Sequence, residues 1–429
     1  MMKNPKLKIL FGFPVIDDQS PSPDKKKRGV SLLIALMTIA LMVSFVSDMI
    51  ITSAVNVEMA ITTRDRVKAE YLAKSGLNLA IFIITLGWGV DLFQAQASTP
   101  AAFRKDLSDT DSSLWAIFND LPPIGASTVD FLNAAKGGEK GNEDPFHLQG
   151  IMNEKVSQQM RLFEDQFTIH VEDEGSKINL NTCAYGKCLE TIQQLINLFS
   201  CPAEKEFLRS KNIDPQELAY RIKDFISVSG TTSQESGYSD KNTPYLKTTP
   251  SYKAKGMQLD TLDELKLIDG WDDDLHTIFA PYLTVYPFNL TGKPDKSRIN
   301  INTAKKELLS CMVKEARSNA CAEQFNLKLK KIKTNKGAVA LAGVSQTLKD
   351  LMCYTGDGTD ENGEKAQSTP DTWFDTKSSV LRITVSADTG MQTIILEAVI
   401  RKIMPKETEH GRAKQQLKRS YEILFFKVS

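Results

Sequence analysis

Apolar positions are concentrated in one long stretch near the amino terminus. It begins with an uncharged run of 18 residues, VSLLIALMTIALMVSFVS, from Val30 to Ser47. At about 1.5 Å per residue this run predicts a helix of roughly 27 Å, enough to cross a hydrocarbon core of about 30 Å. Because no Pro or Gly occurs between Val30 and Ser75, we expect the helix to continue beyond the membrane with one apolar face, suited to packing against copies or relatives of itself. The positions of that face are Val55, Met59, Val67, Tyr71, Ala73, Leu77, Ala80 and Ile84.

Charges at the two ends of the run predict its direction. Lys25, Lys26, Lys27 and Arg28 precede the run, whereas a single acid, Asp48, follows it. The positive-inside rule then leaves the amino end in the cytoplasm and everything after residue 50 outside. A cleavable secretory signal or an ordinary signal anchor shares the basic-then-apolar pattern. The apolar core of a secretory signal, however, is about 7 to 15 residues long and ends at a small-residue cleavage site.

Alternating apolar and polar positions predict strands at two distant places. The first is DQFTIHVEDE, where Phe167, Ile169 and Val171 alternate with polar neighbours. The last fifty residues contain three further strand patterns, VLRITVSAD, QTIILEAVIRKI and RSYEILFFKVS, which predict an antiparallel meander. Between these places lie helical patterns, among them PQELAYRIKDFI and the pair LDTLDELKLIDGW and DDDLHTIFAPYL, which resembles a helix-hairpin-helix unit. We therefore expect an α+β fold in which the long helix packs on an antiparallel sheet and a large helical region is inserted into that sheet.

Two copies of one motif occur within the helical region. SKINLNT at residues 176–182 and SRININT at residues 297–303 agree at five of seven positions. A helical pattern follows each copy, CLETIQQLINLF after the first and AKKELLSCMV after the second. We expect the second Asn and the Thr of each copy at a helix N-cap, where their side-chain oxygens would accept free backbone N–H groups.

Composition narrows the class of protein. The 429 residues contain 53 basic and 53 acidic side chains, so no overall charge favours nucleic acid or an anionic surface. All six cysteines follow the apolar run, and an even count in an oxidising compartment allows up to three disulfides, in fifteen full pairings. Four residues separate Cys183 from Cys188, and we expect a local bridge between them. A zinc site is the weaker reading, since no CxxC motif occurs and the four histidines are scattered singly.

Two other classes of function have little support. The helix-hairpin-helix pattern together with the repeated motif is also similar to modules of periplasmic DNA-uptake receptors, but residues 256–285 contain seven acids and one Lys. Neutralising phosphate needs the opposite charge, so we expect no nucleic-acid partner. The sequence has no nucleophile elbow, no Gly-rich phosphate loop and no HExxH motif, so we do not expect an enzyme.

The segment KKKRG followed at once by VSLL resembles the class III leader of type IV pilins and type II secretion pseudopilins. This resemblance implies that a prepilin peptidase cleaves between Gly29 and Val30 and that the new amino terminus is methylated. Family members usually carry Glu at the fifth mature position, where this chain has Ile34. That Glu is thought to meet the free amine of the subunit above, and a carboxylate within the bilayer costs about 2.5–3.5 kcal/mol. Ile34 therefore favours a subunit with nothing above it, at the tip of a filament.

Further matches follow in the same order along the chain. They are DEGSKINLN, RIKDFI, YKAKG with LDTLDEL, RININTA and SSVLRITVSAD. In this order they resemble the minor pseudopilin K family of type II secretion (general secretion pathway protein K). The resemblance implies a leader over residues 1–29, a transmembrane and amphipathic helix over 30–86, a pseudopilin domain divided between 87–175 and 356–429, and an inserted α-domain over 176–355.

The same resemblance implies a structural role and a set of partners. The chain would be a minor pseudopilin at the tip of the type II secretion pseudopilus, where it initiates assembly and supports protein export across the outer membrane. It would be anchored in the bacterial inner membrane with its bulk in the periplasm. Its partners would be other minor pseudopilins, the major pseudopilin and the prepilin peptidase. A minor type IV pilin is the alternative, against which the helical insertion and the missing Glu argue.

The family also binds calcium in the loop between the two halves of its α-domain, and hard oxygen ligands are what calcium needs. Four carboxylates of this chain are available for such a site: Asp224, Glu235, Asp240 and Asp260. The sequence departs from the family pattern, since Ser227 and Ser229 stand where the family often has Asp, and Gly256 where it often has Asn. A calcium site in this loop is therefore an expectation that rests on the resemblance.

Overall fold

The structure is a computed structural model, and it falls into two units, residues 1–64 and 65–429, which are described separately. Most of the predicted leader, residues 1–24, lies outside the described residues, and so do residues 126–164 of the first pseudopilin segment. The described residues are 25–95, 114–121, 123–125, 165–288, 292–293, 297–315, 321–336, 341–351, 353–354, 358–359, 365–366, 373–403 and 421–429.

A single helix, α1 (Lys25–Ala95), forms the amino-terminal part of the described chain. It extends beyond both ends of the predicted span of residues 30–86. Within the first unit its apolar side chains are exposed, with Leu41 and Phe45 as examples. By length and composition alone, the stretch Val30–Thr85 is long and apolar enough to cross a membrane. The helix therefore has the length that the sequence predicts for a membrane anchor.

Beyond α1, helices and strands are interspersed along the second unit. The helices are α2 (Ile117–Asp120), α3 (Leu189–Phe199), α4 (Pro202–Ser210), α5 (Pro215–Ile226), α6 (Asp273–Phe279), α7 (Lys306–Met312), α8 (Cys321–Lys336) and α9 (Leu341–Leu351). The strands are β1 (Gln166–Asp173), β2 (Ile178–Asn179), β3 (Leu283–Thr284), β4 (Ile299–Asn300), β5 (Lys314–Glu315), β6 (Cys353–Tyr354), β7 (Gly358–Thr359), β8 (Lys365–Ala366), β9 (Phe374–Asp375), β10 (Val380–Asp388), β11 (Thr393–Lys402) and β12 (Tyr421–Val428). This order confirms the predicted α+β arrangement: a long helix, a strand, a large helical region and then the remaining strands.

Four strands form an antiparallel sheet in the order β1, β10, β11, β12. In the β1–β10 pair, Ile169 lies opposite Val385 and Val171 lies opposite Ile383. All four side chains are buried, as the alternation along each strand predicts. The chain therefore leaves the sheet after β1, builds the helical region, and returns to pair directly beside the strand that it left.

Part of α1 in the second unit packs on one face of this sheet. Four of the predicted apolar positions are buried there: Ala73, Leu77, Ala80 and Ile84. The other four are exposed: Val55, Met59, Val67 and Tyr71. The expectation that this whole face packs against copies or relatives of itself is therefore wrong for the first set, because the sheet of the same chain covers those side chains.

A small residue allows α1 to approach the sheet closely. A Cβ atom added at Gly76 would lie 2.7 Å from both Phe167 Cδ2 and Val385 Cγ1. This separation is shorter than van der Waals contact between carbon atoms, which is about 3.5–4.0 Å. The side chains of Ala69 and Ala73 on the same stripe are fully buried. The spacing between helix and sheet therefore depends on the absence of a side chain at position 76.

The helical region has a hydrophobic core of its own, separate from the cluster beneath α1. The apolar positions of α3 and α5, which the helical periodicity predicts, face this core. Its largest fully buried side chains include Phe199, Phe279, Phe325, Phe374 and Trp373. A separate core is what an inserted domain needs in order to be stable.

The predicted helix-hairpin-helix unit is wrong in its first element. Leu262–Leu267 form a 3₁₀ helix rather than an α-helix, and α6 follows after a turn in which Gly270 has φ +86°. Thr261 and Glu264 form a capping box at the start of the 3₁₀ helix. With the backbone already extended at Ile268, the segment is too short for a stable α-helix before the turn.

Candidate functional site

Asp173, the last residue of β1, joins the sheet to the helical region. Its carboxylate is buried, and burial raises its pKa although four donors surround it. The donors are Asn300 Nδ2 (2.9 Å), Thr303 Oγ1 (2.6 Å) and Ser378 Oγ (2.6 Å) to Oδ2, and the N–H of Gly175 (2.8 Å) to Oδ1. One side chain thus connects β1, the second repeat and the segment before β10.

Glu174 is the next residue, and opposite charges hold it in place. Its carboxylate is fully buried, accepts hydrogen bonds from Arg382 Nε on β10 and Thr284 Oγ1 on β3, and lies 3.5 Å from Lys177 Nζ. Burial alone would raise the pKa of Glu174, but the charges of Lys177 and Arg382 and the hydrogen bonds outweigh burial and hold the pKa below its usual value. We call the contacts of Asp173 and Glu174 the seam, since they fix the sheet against the helical region.

The second copy of the repeated motif lies at the seam. Its strand β4 pairs in parallel with β9. The side chain of Asn300 accepts the N–H of Asn302 (3.0 Å) on Oδ1 and donates through Nδ2 to Asp173 and to Ser378 Oγ (2.8 Å). Asn302 Nδ2 donates to the carbonyl oxygen of Thr376 (3.2 Å). This copy therefore connects the helical region to the residues that lead back into the sheet.

The first copy has the same local geometry and other partners. Its strand β2 pairs in parallel with β3, and Asn179 Oδ1 accepts the N–H of Asn181 (3.0 Å). Asn179 Nδ2 donates to the carbonyl oxygen of Pro287 (3.0 Å). The amide of Asn181 is fully buried: Nδ2 donates to the carbonyl oxygens of Leu259 (2.9 Å) and Val285 (2.7 Å), and Oδ1 accepts the N–H of Leu259 (2.7 Å). This copy therefore connects separate segments of the helical region to one another.

The predicted N-caps are wrong in both copies. Helix α3 has Cys188 at its N-cap and α7 has Lys305, and neither side chain makes a capping hydrogen bond. In each copy it is the first Asn, Asn179 or Asn300, that accepts a backbone N–H, two residues further on. In the first copy a 3₁₀ helix, Leu180–Ala184, begins within the motif and precedes α3. The second Asn, Asn181, lies in this 3₁₀ helix, and its side chain bonds distant backbone groups.

Among the side chains that the structure describes, two disulfides stabilise the helical region. Cys183 and Cys188 are bonded across the turn between the first repeat and α3, with their Cα atoms 5.0 Å apart. Cys201, before α4, is bonded to Cys311 in α7, and their Cα atoms are 5.5 Å apart. The first pair is the local bridge that the sequence predicts. The second pair is 110 residues apart in sequence, a spacing that carries no signal of pairing.

The four carboxylates predicted for calcium lie in separate environments. Asp224 is buried and accepts the N–H (2.9 Å) and the Oγ–H (2.7 Å) of Ser233. Asp260 forms an ion pair with a Lys ammonium group at 2.8 Å, while Glu235 and Asp240 are exposed. Among the described residues there is no group of three or more His, Cys, Asp or Glu side chains arranged to hold a metal ion. This arrangement does not fit calcium, which takes 6–8 oxygen ligands including carboxylates.

The residues of the predicted processing site lie near the start of α1. Gly29 and Val30 are both within the helix, and the side chains of Val30 and Ile34 are exposed. An exposed apolar side chain at position 34 suits a lipid environment, whereas a carboxylate there would need a partner. Cleavage after Gly29 and methylation of Val30 stay predictions.

A long amino-terminal helix, an antiparallel sheet beneath part of it and a helical region inserted between neighbouring strands make up the architecture of a pilin-like protein with a helical insert. Residues 176–288 match the family model described as "Type II secretion system (T2SS), protein K". The match begins at the first repeat, ends just after β3 and covers about a quarter of the chain. It confirms the predicted resemblance to the protein K family over this region.

One solved structure that aligns with the chain is described as "The Crystal Structure of the GspK-GspI-GspJ complex from enterotoxigenic Escherichia coli Type 2 Secretion System". The alignment covers 62% of this chain and 80% of that chain, with 16% sequence identity and a TM-score of 0.41. No curated protein matches the sequence. A likeness of this size does not bear on partners or activity.

Proposed function

We propose that this chain is a minor pseudopilin at the tip of the type II secretion pseudopilus, where it initiates assembly and supports protein export across the outer membrane. The observation that carries the proposal is the match of residues 176–288 to protein K of that system. The apolar, exposed first part of α1 supports an anchor in the bacterial inner membrane. The basic residues before it favour a cytoplasmic amino end and a periplasmic bulk.

The role is one of position rather than of catalysis. A prepilin peptidase cleaves between Gly29 and Val30, and the new amino terminus is methylated. Other minor pseudopilins and the major pseudopilin pack beside the exposed side of α1, where Val55 and Met59 offer apolar surface. Ile34 provides no carboxylate for the amine of a subunit above, which supports a place at the end of the filament.

The first experiment is deletion of the gene and complementation with the wild-type chain. We expect secreted proteins to accumulate in the periplasm of the deletion strain and to reach the medium again after complementation. Unchanged export after deletion would contradict the proposal. Loss of a surface pilus with normal export would support the minor type IV pilin instead.

The second experiment tests the tip position by complementation with Ile34→Glu and, as a matched control, Ile34→Leu. We expect Ile34→Leu to restore export and Ile34→Glu to reduce it, because an unpartnered carboxylate in the bilayer costs about 2.5–3.5 kcal/mol. Full export with Ile34→Glu would contradict the assignment to the tip. The intact mass of membrane-extracted protein tests processing in the same strains, with a chain beginning at methylated Val30 as the expected result.

A further inference from the structure

The loop of residues 227–256, called the α5 loop below, leaves α5 and returns to it. At its start the N–H of Val228 donates to the carbonyl oxygen of Ala184 (3.0 Å). At its end the N–H of Gly256 donates to the carbonyl oxygen of Phe225 (2.8 Å), in the last turn of α5. A loop of this length needs partners for its backbone polar groups, since unpaired groups away from water are costly.

Lys241 supplies such partners where the α5 loop begins. Its ammonium nitrogen Nζ donates to the carbonyl oxygens of Ser227 (3.0 Å) and Ser229 (2.7 Å). Its own backbone N–H donates to Thr232 Oγ1 (3.1 Å). Two carbonyl dipoles that converge on one point favour a cation there, and hydrogen bonds from an ionised donor are about twice as strong as neutral ones. The ammonium group therefore holds together two backbone groups that would otherwise repel each other.

Three hydroxyl side chains near these carbonyl groups hydrogen-bond to one another. The hydroxyl oxygens of Ser227 and Ser229 are 2.8 Å apart, and those of Ser229 and Thr231 are 3.0 Å apart. Asp240, beside Lys241 in sequence, accepts the N–H of Asn242 (3.0 Å). These bonds leave the positive charge of Lys241 beside carbonyl oxygens and hydroxyl groups.

The charge of the whole α5 loop also disfavours a metal ion. Residues 227–256 contain four Lys and two acids, so the loop carries a net positive charge. A divalent cation entering the site would meet the ammonium group of Lys241 at the carbonyl oxygens that it needs as ligands. Lys255, near the end of the loop, pairs through Nζ with Asp260 (2.8 Å) and Glu264 (2.6 Å), which lie outside the loop, so both carboxylates already have a cation of this chain beside them.

We infer that Lys241 is the built-in cation of the α5 loop: its ammonium group takes the place of a bound metal ion at the carbonyl oxygens of Ser227 and Ser229, and the loop folds without calcium. A cation attached to the chain cannot dissociate and cannot be removed by a chelator. The inference rests on the loop alone and holds whether or not the chain acts in secretion.

The first test uses the full-length wild-type protein in detergent micelles. Its thermal unfolding and the rate at which chymotrypsin cleaves the α5 loop are measured in excess EGTA, in millimolar calcium and in millimolar magnesium. We expect the same midpoint and the same cleavage rate in all three. A midpoint that calcium raises, magnesium does not raise and EGTA lowers again would overturn the inference.

The second test probes Lys241 without any substitution. The protein is treated with an amine-acetylating reagent, and the rate at each Lys is followed by mass spectrometry, with exposed Lys247 and Lys253 of the same loop as references. Hydrogen bonds to a charged group contribute enough that acetylation of Lys241 should be about tenfold slower than that of the references. Equal rates at the three positions would overturn the inference.

The third test compares Lys241→Met with the matched control Lys253→Met in the same chain. Both variants remove one positive charge, but only Lys241 holds the carbonyl oxygens of Ser227 and Ser229. We expect chymotrypsin, which does not cleave at Lys, to cut the α5 loop of Lys241→Met about tenfold faster than that of the control. Equal cleavage of both variants, at the wild-type rate, would contradict the role of Lys241.

Discussion

The two copies of the repeated motif share five of seven residues and the same local turn, yet they connect different parts of the molecule. In both, the first Asn accepts the N–H of the residue two positions on, and a short strand pairs in parallel with a distant one. The first copy binds backbone within the helical region, whereas the second binds Asp173 at the seam. The short motif thus determines a local turn, and the surrounding fold determines which groups the side chains of that turn bind by hydrogen bonds.

Burial also differs between the copies. Asn181 is fully buried and makes three hydrogen bonds to backbone groups of Leu259 and Val285. The equivalent residue, Asn302, is half-buried and donates to the carbonyl oxygen of Thr376. The first copy should therefore matter more for the stability of the helical region, and the second for its attachment to the sheet. The predictions below test this difference, from the largest expected effect to the smallest.

The Cys201–Cys311 disulfide connects the start of α4 to α7, the helix that follows the second copy. For Cys201→Ser with Cys311→Ser we expect a loss of about 4 kcal/mol in the free energy of unfolding, because a bond that closes a loop of about 100 residues removes much entropy from the unfolded chain. The control, Cys183→Ser with Cys188→Ser, removes a bond that closes a loop of only a few residues and should lose about 2 kcal/mol. Denaturant unfolding measures both. Equal losses would indicate that the long-range bond does not stabilise the connection between the two copies.

At the seam, Glu174→Gln should cost about 3 kcal/mol at neutral pH, since it removes the ion-pair partner of half-buried Arg382 and leaves Lys177 with Glu172 alone. The effect should depend on pH. The pKa of Glu174 is held below its usual 4.5, so its stabilising contribution is full above about pH 4.5 and is lost as the pH falls through the lower folded value. The gap between the wild-type and variant unfolding midpoints should therefore narrow on acidification.

Asp173 provides the control for this pH effect, because its pKa is raised whereas that of Glu174 is lowered. Burial raises the pKa of Asp173 above 3.8. The stability that its protonated carboxyl group contributes is therefore full below pH 3.8 and is lost as the pH rises through the pKa of the folded state. Asp173→Asn should therefore not narrow the gap on acidification as Glu174→Gln does. If both variants had parallel pH profiles, the assignment of the acid-sensitive group to Glu174 would be wrong.

Asn181→Ala should destabilise the helical region by about 3 kcal/mol, because it leaves three buried backbone groups without a partner. The matched change in the second copy, Asn302→Ala, should cost only about 1 kcal/mol, since that side chain is half-buried. Hydrogen exchange localises the effects. We expect faster exchange around residues 256–288 for Asn181→Ala. An equal loss of stability in both variants would remove the proposed difference between the copies.

Asn300→Ala should have an intermediate cost of about 2 kcal/mol, since it removes donors to Asp173 and Ser378 and the acceptor for the N–H of Asn302. Its effect should lie at the seam, so we expect faster exchange around residues 297–303 and 373–380. Exchange around residues 256–288 should stay as in the wild type. Faster exchange there as well would indicate that the two copies form one cooperative network.

The sequence by itself determined the elements and their order. The uncharged run and the residues after it fixed α1, the alternation around Ile169 fixed β1, and the 3.6-residue pattern of PQELAYRIKDFI fixed α5 with the bounds observed. These features depend on the burial periodicity of neighbouring residues, which is visible along the chain. The Cys183–Cys188 bridge could also be predicted from the sequence, because its two cysteines are only five positions apart.

Only the tertiary structure decided which distant groups meet. The partners of Asn181 and Asn300, the Cys201–Cys311 bond and the ammonium group of Lys241 on two carbonyl oxygens depend on contacts between residues far apart in sequence or in a loop without periodicity. The sheet that covers the Ala73 stripe is likewise built mostly from the carboxyl-terminal end of the chain. Local patterns carry the signal of burial, but a buried polar group is satisfied by whatever the fold brings within hydrogen-bond distance.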